Sequence, residues 1–195
     1  MSESLITKKA IAQALKNLCR DKAFDKISIA DITTACGLNR QTFYYHFQDK
    51  YELLSWIFYN ENFSKITDGI SFENWDVKFL EMLQIMQNEK TFYMNTLKEQ
   101  EHTFESYLFE MAKTLFLEAI EALDRNNKLE LEEKEFDAEF YAYGICGIII
   151  SWSQRGMKIP PEKVAYRLKR LVRDSEKAAY MRSRELLDQE SFSAK

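Results

Sequence analysis

The sequence predicts an all-α protein of about nine helices: a three-helix head over residues 1–50 containing a helix–turn–helix, and a helical body over residues 51–195, the two joined by a helix over 49–65. Three observations carry this. Gly (5) and Pro (2) are rare in 195 residues, so little of the chain is suited to tight turns. Apolar residues make up 46 % and recur at steps of three and four, which is the period of one helical face. The stretch from Ser28 to Lys50, SIADITTACGLNRQTFYYHFQDK, reads as two short helices, a tight break and the start of a third.

The elements follow in chain order. Ala10, Ile11, Ala14, Leu15, Leu18 and Cys19 form one face of a first helix over 5–22, with Thr7 near its start. Phe24 and Ile27 plug the base of the head. Ser28 and Asp31 have the spacing that satisfies free N–H groups at a helix start, and Ile29 and Ile32 then point inward. Ala35-Cys36-Gly37-Leu38 is the break, because glycine accepts the left-handed backbone that ends a helix sharply. Asn39 caps the helix Arg40 to Phe47, and Asp49 caps the next. Thr67 to Ser71 forms a boundary. Longer helices are expected over 74–89, 91–100, 103–126, 133–156 and 161–184, with breaks at Asn126-Asn127 and Pro160-Pro161 and a frayed tail from about Asp188.

Charge is unevenly spread. The net charge is −4, yet residues 1–50 carry eight Lys/Arg against five acids, so the head is positive and the body negative. Cys19, Cys36 and Cys146 lie in apolar patterns without metal-ligand spacing and read as reduced core residues. No apolar run is long enough to span a bilayer, no signal peptide is legible, and a cytoplasmic location is expected. The sequence holds no Ser/His/Asp or Cys/His arrangement, metal spacing or phosphate-cradling glycine loop. With two histidines in the chain, an enzyme is disfavoured and no cofactor is expected.

The helix after Asn39 has the side chains for double-stranded DNA, and Asn39 itself is among the candidate contacts. Leu38, Phe43 and Phe47 supply its inward face, leaving Arg40, Gln41, Thr42, Tyr44, Tyr45 and His46 outward or at the flanks. Arg can bridge O6 and N7 of guanine and Gln can pair with adenine, while Thr and Tyr hydroxyls reach phosphates. Lys50 lies in the first turn of the following helix, whose N–H groups also favour phosphate. A helical adaptor whose Tyr-rich helix binds protein is the competing reading; salt-sensitive operator binding separates the two.

These residues resemble the signature of the tetracycline-repressor (TetR) family. The likeness lies in Thr42-Phe43-Tyr44-Tyr45-His46-Phe47, Asp49-Lys50 and Glu52-Leu53-Leu54, preceded by Ser28 to Ile32 and Cys36-Gly37-Leu38, and it spans about residues 8–55. The resemblance implies that Tyr44 and Lys50, with Ser28 and Thr42, contact phosphate. It also implies that Arg40, Gln41 and Tyr45 lie at or beside base edges. For His46, packing and phosphate contact both stand.

In the body, Phe136 to Trp152 is apolar nearly all round and demands burial on both sides. Ile145, Ile148, Ile149 and Trp152, with a second stripe through Leu168, Leu171 and Val172, are the expected homodimer face, and Gly144 and Gly147 permit close helix approach. A dimer suits half-sites about 34–36 Å apart. Phe79, Met82, Met86, Tyr93, Phe104, Tyr107 and Met111 read either as an effector pocket or as core. The helix Phe43 to Phe47 and the segment Gly147 to Met157 are similar to the family branch that activates dihydroxyacetone-kinase operons. That similarity implies activation through a co-activator protein related to a dihydroxyacetone-kinase subunit.

Overall fold

The computed structural model describes residues 3–97, 102–124 and 129–193, and no strand occurs among them. The head comprises α1 (Glu3–Leu18), a 3-10 turn (Phe24–Lys26), α2 (Ile29–Cys36) and α3 (Arg40–His46). Next comes α4 (Lys50–Ile57), which continues through a π-helical turn (Phe58–Phe63) into the short α5 (Ser64–Ile66). The body follows as α6 (Trp75–Asn88), α7 (Lys90–Thr96), α8 (His102–Leu123), α9 (Leu131–Gln154) and α10 (Pro161–Ser193).

The local signals act as the chemistry requires. Ser28 and Asp31 form a reciprocal capping box at the start of α2. Gly37 sits at φ +68°, the left-handed geometry that a side chain would strain. Asp49 Oδ1 accepts the N–H groups of Tyr51 and Glu52, both at 2.8 Å.

Some boundaries differ from expectation. α1 ends at Leu18 because the chain tightens there, with the N–H groups of Asp21 and Lys22 both reaching the Leu18 carbonyl. Ala10 is exposed, whereas Ala12 is buried. α10 runs on to Ser193 instead of fraying near Asp188, through a stretch without Gly or Pro. The helix predicted over 91–100 ends at Thr96, and the expected break at Asn126-Asn127 lies outside the described residues.

Packing pairs the long helices. Phe109 meets Tyr143, Lys113 pairs with Glu139 at 2.7 Å and Phe116 stacks on Tyr141, so α8 and α9 pack side by side as an antiparallel hairpin. Asp124 and Lys134 pair at 2.9 Å at the closed end of that hairpin. α10 runs antiparallel to α6, tied by Lys169 to Asp76 and by Gln84 Nε2 to Glu162 at 3.1 Å. A buried aromatic cluster of Phe58, Phe63, Tyr93 and Phe104 lies where the π turn, α7 and α8 meet, with ring centroids 4.9–5.9 Å apart.

Candidate nucleic-acid interface

The geometry of α3 is set from beneath. Phe43 and Phe47 are buried, and their rings lie 5.9 Å apart above the core made by Ile11, Leu15 and Ile32. Trp56 of α4 packs edge-on against Phe47 at 6.0 Å. With those two positions anchored, the opposite side of the helix faces outward. Tyr45 is 82 % exposed and Tyr44 56 %, an unusual exposure for aromatics on a packed head, and Arg40 and Gln41 are also exposed. A helix with its side chains is about 10–12 Å across, which fits a major groove about 12 Å wide.

The other expected contacts are partly engaged within the protein. Asn39 Oδ1 accepts both the Thr42 N–H at 2.8 Å and the Thr42 hydroxyl at 3.0 Å. The Ser28 hydroxyl donates to Asp31 Oδ2 at 2.7 Å and accepts the Asp31 N–H at 3.2 Å. His46 is half-buried between the rings of Tyr45 and Phe47, at 5.0 and 6.5 Å. Lys22 also binds Asp31, and these hydrogen bonds, that of Lys22 first and then those of Ser28, hold the Asp31 carboxyl far below the usual range.

Lys50 departs most from expectation. Its ammonium donates to the carbonyls of Phe24 and Asp25 at 2.9 Å and of Ile27 at 3.0 Å, and sits 4.7 Å from the Phe24 ring centroid. An ammonium has three protons, and three carbonyls face it. In the protein alone, the ammonium thus closes the turn that leads into α2.

The residues expected at the dimer face divide by their exposure in the single subunit. Ile145, Ile149, Trp152, Leu168 and Val172 are buried inside the subunit itself. Of the expected set only Ile148 and Leu171 are exposed. Leu131, Phe136, Phe140 and Tyr143 on α9, and Tyr166, Tyr180 and Met181 on α10, are exposed as well. Periodicity shows that α9 has apolar residues on both sides. It does not show which side the subunit covers for itself.

The candidate effector residues differ in burial. Phe79, Met82, Met86, Tyr93, Phe104 and Met111 are buried, while Tyr107 stands partly exposed against Tyr59 and Phe63. The structure adds one polar pair that the sequence did not reveal: Asn62, fully buried in the π turn, donates from Nδ2 to the Tyr93 hydroxyl at 3.2 Å. Burial pushes that phenol up from its ordinary range, and the Asn62 bond partly opposes the shift.

An all-helical chain with a capped, outward α3 on a glycine turn defines a helix–turn–helix DNA-binding regulator. The chain belongs to the TetR family of bacterial transcription regulators, and it is a regulator, not an enzyme. Residues 11–56 match the family described as bacterial regulatory proteins, tetR family, and residues 73–174 match a transcriptional regulator C-terminal region. The chain is 33 % identical over 152 residues to the HTH-type dhaKLM operon transcriptional activator DhaS of Lactococcus lactis subsp. lactis (strain IL1403), covering 76 % of this chain and 80 % of that one. A solved structure of a dihydroxyacetone kinase operon activator DhaS superposes with a TM-score of 0.71 at 30 % identity, over 89 % of this chain and 98 % of that one. Native NalD, the secondary repressor of the MexAB-OprM multidrug efflux pump in Pseudomonas aeruginosa, shares the fold at 18 % identity and a TM-score of 0.58, over 86 % of this chain and 94 % of that one. No helix among the described residues is long and apolar enough to cross a membrane.

Proposed function

We propose that this chain is a homodimeric activator that binds a two-fold operator and controls genes for dihydroxyacetone phosphorylation. The observation that carries the DNA contact is the outward face of α3, where Arg40, Gln41, Tyr44 and Tyr45 stand exposed on a helix anchored by Phe43 and Phe47. Arg40 and Gln41 read base edges from the first turn, with Tyr45 at or beside them, and Tyr44 contacts phosphate. Likeness to the dhaKLM activator supports the choice of target genes and the sign of regulation.

The second subunit covers the exposed aromatic faces of α9 and α10. Phe136 and Phe140, one turn apart on α9, and Tyr166 on α10 are each at least 65 % exposed in the single subunit. The effector is a co-activator protein related to a dihydroxyacetone-kinase subunit, and it acts on the body from outside. This agrees with an aromatic interior whose rings already pack against one another.

Selection of genomic fragments by the purified full chain, followed by gel shifts across a range of salt, tests the reading. Salt-sensitive binding upstream of kinase genes is the expected result, and no operator at any salt would refute it. Calorimetry with dihydroxyacetone and the protein alone tests the effector. Tight direct binding would remove the co-activator version.

A further inference from the structure

We infer that α7 is a second mechanical link between body and head, separate from the covalent continuity through α4, and that Asn95 is its positioning residue. This rests on the operator-binding reading above. The Asn95 amide makes three hydrogen bonds, all to the link after α1. Its Nδ2 donates to the carbonyls of Cys19 at 2.9 Å and Lys22 at 2.8 Å, and its Oδ1 accepts the Phe24 N–H at 2.9 Å. Carbonyls in a turn past a helix end lack helical donors, so a body residue satisfies the turn that follows the first helix of the head. A planar amide held at both donors and its acceptor has little freedom to slide.

A second fastening lies close by. Lys16 on α1, its side chain only 8 % exposed, reaches Glu61 of the π turn at 2.6 Å and Glu89, the residue before α7, at 3.3 Å. The head is thus gripped near both ends of α7, at Glu89 and at Asn95.

The other sides of α7 are tied into the body. The Tyr93 hydroxyl accepts from Asn62, and the Leu97 carbonyl, just past the end of α7, accepts from Gln154 Nε2 at 3.2 Å at the end of α9. A Cβ built on Gly156, two residues past the end of α9, would lie 3.7 Å from Met94 Cε. A shift of the α9 end against its neighbours therefore carries α7, and α7 carries the link that leads into the helix–turn–helix. Such a route sets where each reading helix stands relative to its twin, and so which half-site spacing the dimer accepts.

The test uses the full-length chain and an operator selected by the wild type, together with duplexes in which the half-site spacing is changed by one and two base pairs. For wild type, the preferred spacing should bind about tenfold tighter than its neighbours. Asn95→Ala should keep the circular dichroism of the wild type and bind the preferred operator within a few-fold, but its spacing preference should collapse to about twofold. If that variant does not fold, Asn95→Ser, which can keep one of the hydrogen bonds, carries the same readout. An unchanged spacing preference in a folded variant overturns the inference. Wild type that selects no operator overturns the reading beneath it, and the two failures are distinct.

Discussion

Asn95 and Lys50 hold the two sides of one residue: the Asn95 Oδ1 accepts the N–H of Phe24, and the Lys50 ammonium takes its carbonyl. One holder sits on α7 and the other opens α4, so the turn ahead of α2 is fixed from two elements outside the head's own three helices. The buried Phe24 ring completes the grip, edge-on to Tyr51 at 5.5 Å.

Lys50→Ala should therefore act on the fold of the head. Hydrogen bonds from a charged donor contribute about 1.5–3 kcal/mol, and a loss of that order should appear as a lower thermal midpoint. DNA affinity should fall for all sequences alike. The slope of log K against log salt should stay at the wild-type value; a drop of about 0.9 for each subunit would restore the phosphate contact implied by the family resemblance.

Arg40→Ala should behave differently. It should cost roughly 1–3 kcal/mol at the preferred operator and relax discrimination at one base step, leaving thermal stability unchanged because Arg40 is exposed. Binding to a panel of single-base operator variants measures this. Equal loss on every variant would place Arg40 on the backbone instead.

Two substitutions on α9 separate its faces. Ile149 is fully buried, so Ile149→Ala should destabilise the subunit by about 2–5 kcal/mol without changing its association. Phe140 is 69 % exposed, so Phe140→Glu should leave the subunit folded and release monomers in sedimentation equilibrium. A Phe140→Glu protein that stays dimeric would move the interface elsewhere.

The thiols provide a pH-dependent check. Burial is the chief cause that pushes Cys19 and Cys146 each up to about 12. An unfolded thiol ionises near 8.5, so above that pH the unfolded state loses protons that the native state keeps. Stability should then decline as pH rises from about 9 toward 12, and Cys19→Ala/Cys146→Ala should flatten that part of the curve. At pH 8 a thiol-specific chromogenic reagent should label only the half-buried Cys36 until urea exposes the other two.

Asp31 provides the opposite sign. Its carboxyl is held low by Lys22 first and by Ser28 next, so its stabilising effect is present above the ordinary carboxylate range and is lost as pH falls through the depressed value. Asp31→Asn should lower the thermal midpoint at pH 7 and matter progressively less in strong acid.

The parts legible in sequence were those governed by short-range chemistry. Ser28 with Asp31, Gly37, Asn39 with Thr42, and Asp49 each act within four residues, and each is where its residue type predicts. The inward pair Phe43 and Phe47 follows from spacing alone. What escaped was long-range. Asn95 bonds a segment 71 to 76 residues away, and nothing in KTFYMNT distinguishes that amide from a solvated one. For Lys50 the spacing points to phosphate alone, because the carbonyls it binds lie 23 to 26 residues upstream. On α9, Ile149 and Phe140 are equally apolar, and only the placement of α8 decides which is interior.

The amide of Asn95 also bears on engineering by domain exchange. Grafting residues 1–66 of this chain onto the remainder of a sibling regulator would transfer the whole outward face of α3, yet leave behind both Asn95 and Glu89. Such a hybrid would keep its taste for individual half-sites and lose its ruler, unless those two side chains travel with the graft.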